Sequence, residues 1–168
     1  MKNKKIIISG PPSSGKSTII HKLKTMGEIC CEEIGPIDIE DKNIKNSKIQ
    51  LSEFIFQKRE EQYLQEHAKP CFYDRSMIDV IAYLDYWNIK PPKHWNDLMQ
   101  KYRYNKTIFY TPLWSEIYQN SNARPESYIE ARNIDTMLKK TYINFHYNII
   151  EVPKLDVNKR IEFIINNI

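Results

Sequence analysis

The sequence predicts a single α/β domain built on a parallel sheet with helices on both faces. Three observations carry that prediction. Short runs of β-branched and aromatic residues recur along the chain, longer helix-like segments alternate with them, and the runs lack polar alternation. A strand covered on both faces has no solvent side, so it stays apolar at successive positions. A length of 168 residues gives one proper core and too little chain for two. Residues 1–168 are therefore expected to form one domain.

The first strand is expected at Lys5–Ser9, whose Ile6-Ile7-Ile8 is apolar on both sides. A helix follows over Lys16–Met26, with Gly27 placed to end it. The second strand is expected at Glu28–Glu32 and the next helix at Leu51–His67, stopped before Pro70. A third strand, Pro70–Tyr73, leads into a helix over Ser76–Trp87 carrying Ile78, Ile81, Ala82 and Leu84. Lys93–Tyr102 reads as a helix, Thr107–Tyr110 as the fourth strand, and Glu126–Phe145 as a long helix. The fifth strand is Asn148–Val152, and Val157–Ile168 closes the chain with Ile161, Ile164, Ile165 and Ile168 on one side. Ser115–Pro125 is polar and holds Asn120-Ser-Asn122, so a loop or lid is expected at about 114–132.

Composition narrows the function classes. The 25 Lys and Arg exceed the 21 Asp and Glu by only four, and the excess is spread along the chain. The one basic cluster, Lys2, Lys4 and Lys5, runs straight into a strand and reads as a solvated strand entrance. No nucleic-acid or membrane partner is expected. No apolar run reaches membrane-spanning length, and Ile6–Ile8 is too short for a secretion signal, so a cytoplasmic location is expected. Cys30, Cys31 and Cys71 form no Cys-x-x-Cys and read as small buried hydrophobes. His21, His67, His94 and His146 show no metal-ligand spacing, so no zinc site is expected.

The segment Gly10-Pro11-Pro12-Ser13-Ser14-Gly15-Lys16-Ser17-Thr18 matches G-x-x-x-x-G-K-[ST], the phosphate-binding P-loop. A plain Gly-Pro turn before a helix is the alternative. The strand ahead and the helix behind supply the setting the phosphate loop requires. In that setting backbone N–H groups surround nucleotide phosphates and the helix N-terminus adds partial positive charge. Lys16 would reach the terminal phosphates and the Ser17 hydroxyl would ligate Mg²⁺. ATP and Mg²⁺ are the expected cofactors, within a three-layer P-loop NTPase fold. Asn105-Lys106-Thr107-Ile108 lacks the acid of a guanine-reading N-K-x-D, and no L-S-G-G-Q is present. The length also excludes a helicase or a full AAA+ motor, which leaves a small kinase-like domain.

Phosphoryl transfer needs a metal, an activated acceptor and positive charge over the moving group, and a parallel sheet offers them at strand carboxyl ends. Three places qualify. Glu32 and Glu33 end the second strand, and Glu33 is the chosen general base because Glu32 still belongs to the strand. Asp74 ends the third strand, where a Walker-B-type acid would hold Mg²⁺; Arg75 beside it would position the acceptor. An Asp cap with an ion-paired Arg is the alternative there. Asp79 could support the site, but on the following helix it is expected to face solvent. Arg124 and Arg132 would close over the phosphates and exclude water, although Arg132 could equally join a surface set with Glu126, Glu130 or Asp135. On Leu51–His67, Gln57, Arg59 and Gln62 could read the acceptor, while Phe54, Phe56 and Tyr63 at helical spacing read as core.

Gly10–Thr18 resembles the P-loop of small nucleoside and nucleotide kinases, with Ser13 where their common form has glycine. Asp74-Arg75-Ser76-x-x-Asp79-x-x-Ala82-Tyr83, Arg103-Tyr104-Asn105-Lys106-Thr107 and Val157-x-x-Arg160-Ile-x-Phe163-Ile resemble the AAA-type ATPase and kinase-like family related to the ribosylnicotinamide kinase domain of NadR. A glutamate ending the second strand and an acid-Arg-Ser triplet ending the third are also similar to deoxynucleoside kinases. The resemblance implies phosphoryl transfer from Mg·ATP to a small hydroxylated acceptor, a nucleoside, nucleotide or related metabolite. The competing class is a nucleotide-dependent switch or regulatory ATPase acting through a macromolecular partner.

Overall fold

Strand β1 (Lys5–Ser9) lies at the centre of the sheet, and its isoleucines divide between two cores. Ile6 and Ile8 join the core on one face, Ile7 the core on the other, and all three are buried. The chain is described here by a computed structural model covering residues 4–118 and 126–168. Among these residues one five-stranded sheet forms, all parallel. Strand β3 (Cys71–Asp74) pairs with one side of β1 and β4 (Thr107–Tyr110) with the other. Strands β2 (Ile29–Cys31) and β5 (Asn148–Glu151) form the edges, giving the order β2-β3-β1-β4-β5. The three-layer fold expected from the sequence is the one observed.

Helices α1 (Lys16–Thr25) and α7 (Val157–Asn166) cover the Ile6/Ile8 face through Ile19, Leu23, Ile161 and Ile164. The other face carries α3 (Lys48–Leu64), α4 (Met77–Tyr86), α5 (His94–Lys101) and α6 (Tyr128–Asn144). Phe56 of α3 stacks on Trp95 of α5 at 3.8 Å between centroids, and Tyr63, Tyr73 and Tyr104 meet edge-on. Of the α3 aromatics named above, Phe56 is buried in the core and Tyr63 packs against it. Gly27 follows α1 with φ of 85°, the left-handed conformation of a helix stop.

Most boundaries differ from the sequence expectation by one to three residues. Helix α3 starts earlier, at Lys48, because the Ser47 hydroxyl accepts from Gln50 N–H and caps it there. Helix α2 (Lys42–Asn46) was not anticipated; five residues with no buried side chain carry no periodicity. Among the described residues no helix is long and apolar enough to cross a membrane.

Candidate active site

The chain leaves β1 at Ser9 and turns at Gly10, φ 152°. A Cβ there would lie 2.3 Å from the Thr111 carbonyl oxygen at the end of β4, so only glycine permits the approach. Thr111 in turn bonds Ser14 through its hydroxyl at 2.7 Å, tying the loop to the sheet. Lys16 folds back over the loop, donating to Pro11 O at 2.7 Å and Ser14 Oγ at 3.3 Å. Pro11, Pro12, Ser13 and Ser14 are buried within this turn. Ser13 adopts φ of 57°, the left-handed conformation that glycine takes freely, at the position where the resembling kinases carry glycine. Gly15 caps α1 with φ of 85°, and Ser17 and Thr18 are exposed in its first turn. No acid lies in that turn, so the partial positive charge of the helix N-terminus is uncompensated.

The ends of β2 and β3 deliver the charged groups. Arg75, buried, has φ of 71°, a strained conformation for a long side chain, and its surroundings fix it there. Its Nε donates to Glu33 Oε1 at 2.6 Å and its Nη1 to Gly10 O at 3.0 Å, so one guanidinium joins the end of β2 to the phosphate loop. Its Cζ also lies 5.6 Å from the centre of the Tyr83 ring. Glu32 turns outward to Lys24 instead; it lies past the end of β2 at Cys31 and not within the strand, as expected from the sequence. Burial by itself would raise the Glu33 carboxyl, but Arg75, Lys16 and Arg59 outweigh it and bring it down to about 2. Asp74 behaves oppositely: burial and the neighbouring Glu33 charge push it up to about 6. Its Oδ1 is buried with no hydrogen-bond partner.

Asp79 corrects the sequence expectation. It is fully buried, not solvent-facing. It accepts from Ser9 Oγ at 2.5 Å, Ser76 N–H at 2.7 Å and Tyr142 O–H at 2.5 Å, and lies 3.5 Å from Arg75 Nη1. The carboxylate therefore links β1, α4, α6 and Arg75, and the capping box it forms with Ser76 is only part of its bonding.

Arg59 is buried; it donates to Ser76 O at 2.5 Å and Ile34 O at 3.4 Å, behind the carboxylates, and its Nε has no partner. Gln62 binds the Glu32 carbonyl and Gln57 is exposed. Arg132 stands exposed on α6. The surface set proposed for it does not form: Glu130 binds Ser127 N–H and Asp135 pairs with Lys139. Arg124 lies outside the described residues, as does part of the 114–132 segment. Arg160 of α7 was given no role by the sequence. It is buried against Gly15, where an added Cβ would meet its Nη1 at 2.7 Å, and faces the Trp114 ring at 5.8 Å. Its Nε has no partner. It shares a helical face with Val157 and Ile164, the pattern by which it could have been found.

These features fit an anionic phosphate chain in the loop and a hard cation beside Asp74: a glycine-dependent turn, a folded-back lysine, and an orphaned carboxylate oxygen. The raised Asp74 carboxyl has a consequence for stability. Between its ordinary value and about 6 the fold binds a proton that the unfolded chain does not, so stability falls as pH rises through that window. In metal-free protein, going from pH 5 to pH 7 should cost about 1 kcal/mol and lower the melting temperature by a few degrees relative to Asp74→Asn. Equal pH dependence in the two proteins would refute this.

The sequence matches the family described as an AAA domain over residues 5–160. No curated protein matches it. Among solved structures it is similar to the deoxyadenosine kinase from M. mycoides with dCMP and dCDP bound, at TM-score 0.72 and 16% identity over 97% of each chain. The thymidylate kinase from Candida albicans superposes at TM-score 0.64 with 15% identity, covering 99% of this chain and 91% of that one. The thymidylate kinase from Ehrlichia chaffeensis gives 0.61 at 16% identity, over 98% of both. At these identities the likeness establishes the shared fold.

Proposed function

This chain belongs to the AAA-domain family, and from that premise we propose that it is a kinase moving the γ-phosphoryl group of ATP to a hydroxyl of a nucleoside, nucleotide or related metabolite. One observation carries the reading: Lys16, Glu33, Asp74 and Arg75 interact at the carboxyl ends of β1, β2 and β3, beside the phosphate loop. The similar folds named for deoxyadenosine and thymidylate kinases support the same class of acceptor.

In this reading the loop amides of Gly10–Thr18 and the Lys16 ammonium hold the phosphates and draw off developing charge. Ser17 and Asp74 hold Mg²⁺, which when bound neutralises the transferring group. Glu33 accepts the proton of the attacking hydroxyl. Its side chain is 36% exposed whereas Asp74 is buried, so access favours Glu33 although its carboxyl is the weaker base. Arg75 fixes Glu33 against the loop and orients the acceptor. Arg124 and Arg132 supply closing positive charge, and Arg59 backs the carboxylates.

The test is ADP formation from Mg·ATP across nucleosides, nucleoside monophosphates, ribosylnicotinamide and related vitamins, with Lys16→Ala as the blank. One acceptor should raise turnover well above the blank and appear with one added phosphate by mass spectrometry. ATP binding with no acceptor-dependent turnover would overturn the kinase reading in favour of a nucleotide-dependent switch.

A further inference from the structure

The β2–β3 register pairs Ile29 with Cys71 and Cys31 with Tyr73, so the two cysteines are diagonal neighbours on one face of the sheet. Their sulfurs are 3.5 Å apart, and both side chains are buried as free thiols. His67, four residues before Cys71 in the loop that leads into β3, brings a third soft donor. One ligand atom from each of Cys31, His67 and Cys71 lies within 4.8 Å of the others. The His67 Nε2 is buried and has no hydrogen-bond partner. Sequence spacing gave no hint of this cluster, because His67 and Cys71 meet Cys31 only through strand pairing.

We propose that Cys31, Cys71 and His67 form a binding site for a thiophilic cation of the zinc class. Two thiolates bound at about 2.3 Å in tetrahedral geometry stand roughly 3.7 Å apart, so the sulfurs need almost no movement. Zn²⁺ would displace one proton from each thiol to solvent and leave a neutral centre, the form that a buried site tolerates. A fourth position goes to water. The ion would tie the loop after α3 to both strands, and those strands lead to the two carboxylates of the candidate active site: Glu33 is two residues past Cys31, and Asp74 three past Cys71. The site does not depend on the kinase reading.

The experiment uses the full chain, reduced and stripped with chelator, titrated first with Co²⁺ and then with Zn²⁺. One equivalent of Co²⁺ should give thiolate-to-cobalt charge-transfer absorption and the visible bands of tetrahedral coordination, and Zn²⁺ should remove both. Cys31→Ala should abolish the charge-transfer band or reduce it by half, and Cys30→Ala should leave it unchanged. His67→Ala, in a half-buried loop, keeps the test valid even if core variants fail to fold; it should weaken Zn²⁺ binding by roughly tenfold or more. A native protein without the band, a band lost in Cys30→Ala, or Zn²⁺ affinity unchanged in His67→Ala would overturn the proposal.

Discussion

Glu33→Gln is expected to slow phosphoryl transfer by roughly 10²–10⁴-fold and to leave the dissociation constant for ATP almost unchanged. The amide keeps the length of the side chain, and its oxygen can still accept from Arg75 Nε, which now meets Glu33 Oε1 at 2.6 Å. Arg75 also keeps its bond to the Gly10 carbonyl, so the phosphate loop is not disturbed from this side. What is lost is the proton acceptor. Steady-state turnover with the acceptor found in the panel, set beside an equilibrium titration with ATP, separates the two effects. A fall in ATP affinity equal to the fall in turnover would mean that Glu33 acts on the loop through Arg75. Transfer at the native rate would move the base assignment to Asp74, whose carboxyl at about 6 is better matched to proton transfer near neutrality.

The parts of the site that were legible in the sequence share a property: each sits where a strand ends. Ile6–Ile8 announces a buried strand, and the phosphate loop, Glu33 and Asp74-Arg75 follow from reading what comes directly after an apolar run. The illegible parts depend on elements meeting across the fold. Asp79 reads as an ordinary acid in the first turn of a helix. It is buried because Ser9 from β1 and Tyr142 from α6 reach it, residues 70 and 63 positions away. Arg160 reads as a helix charge until α7 packs beside Gly15. Cys31 and Cys71 read as small apolar residues until the parallel register sets their sulfurs together. Local pattern gives elements and their ends; it does not give the neighbours that packing supplies.

The size of the loss in Asp79→Ala distinguishes these two views of that residue. As a helix-capping acid at the surface it would be worth about 1 kcal/mol. As the buried hub it accepts from Ser9, Ser76 and Tyr142 and faces Arg75, and truncation leaves all four groups without their anion in a site closed to water. Breaking a buried charge pair by removing one member costs about 3–5 kcal/mol, which for a chain of this size lowers the melting temperature by on the order of 10 °C. Burial alone would raise the Asp79 carboxyl, but Arg75, Arg59 and the bonds from Ser9 and Tyr142 hold it below the ordinary range. A carboxyl lowered by folding contributes stability above its unfolded value and loses it only as pH falls through the folded value. The loss should therefore be complete and constant across neutral pH, and a calorimetric melt at pH 7 measures it. A drop of only 2–3 °C, the size expected of a lost surface cap, would show that the four donors find other partners and that the hub is not what holds Arg75 in its strained backbone.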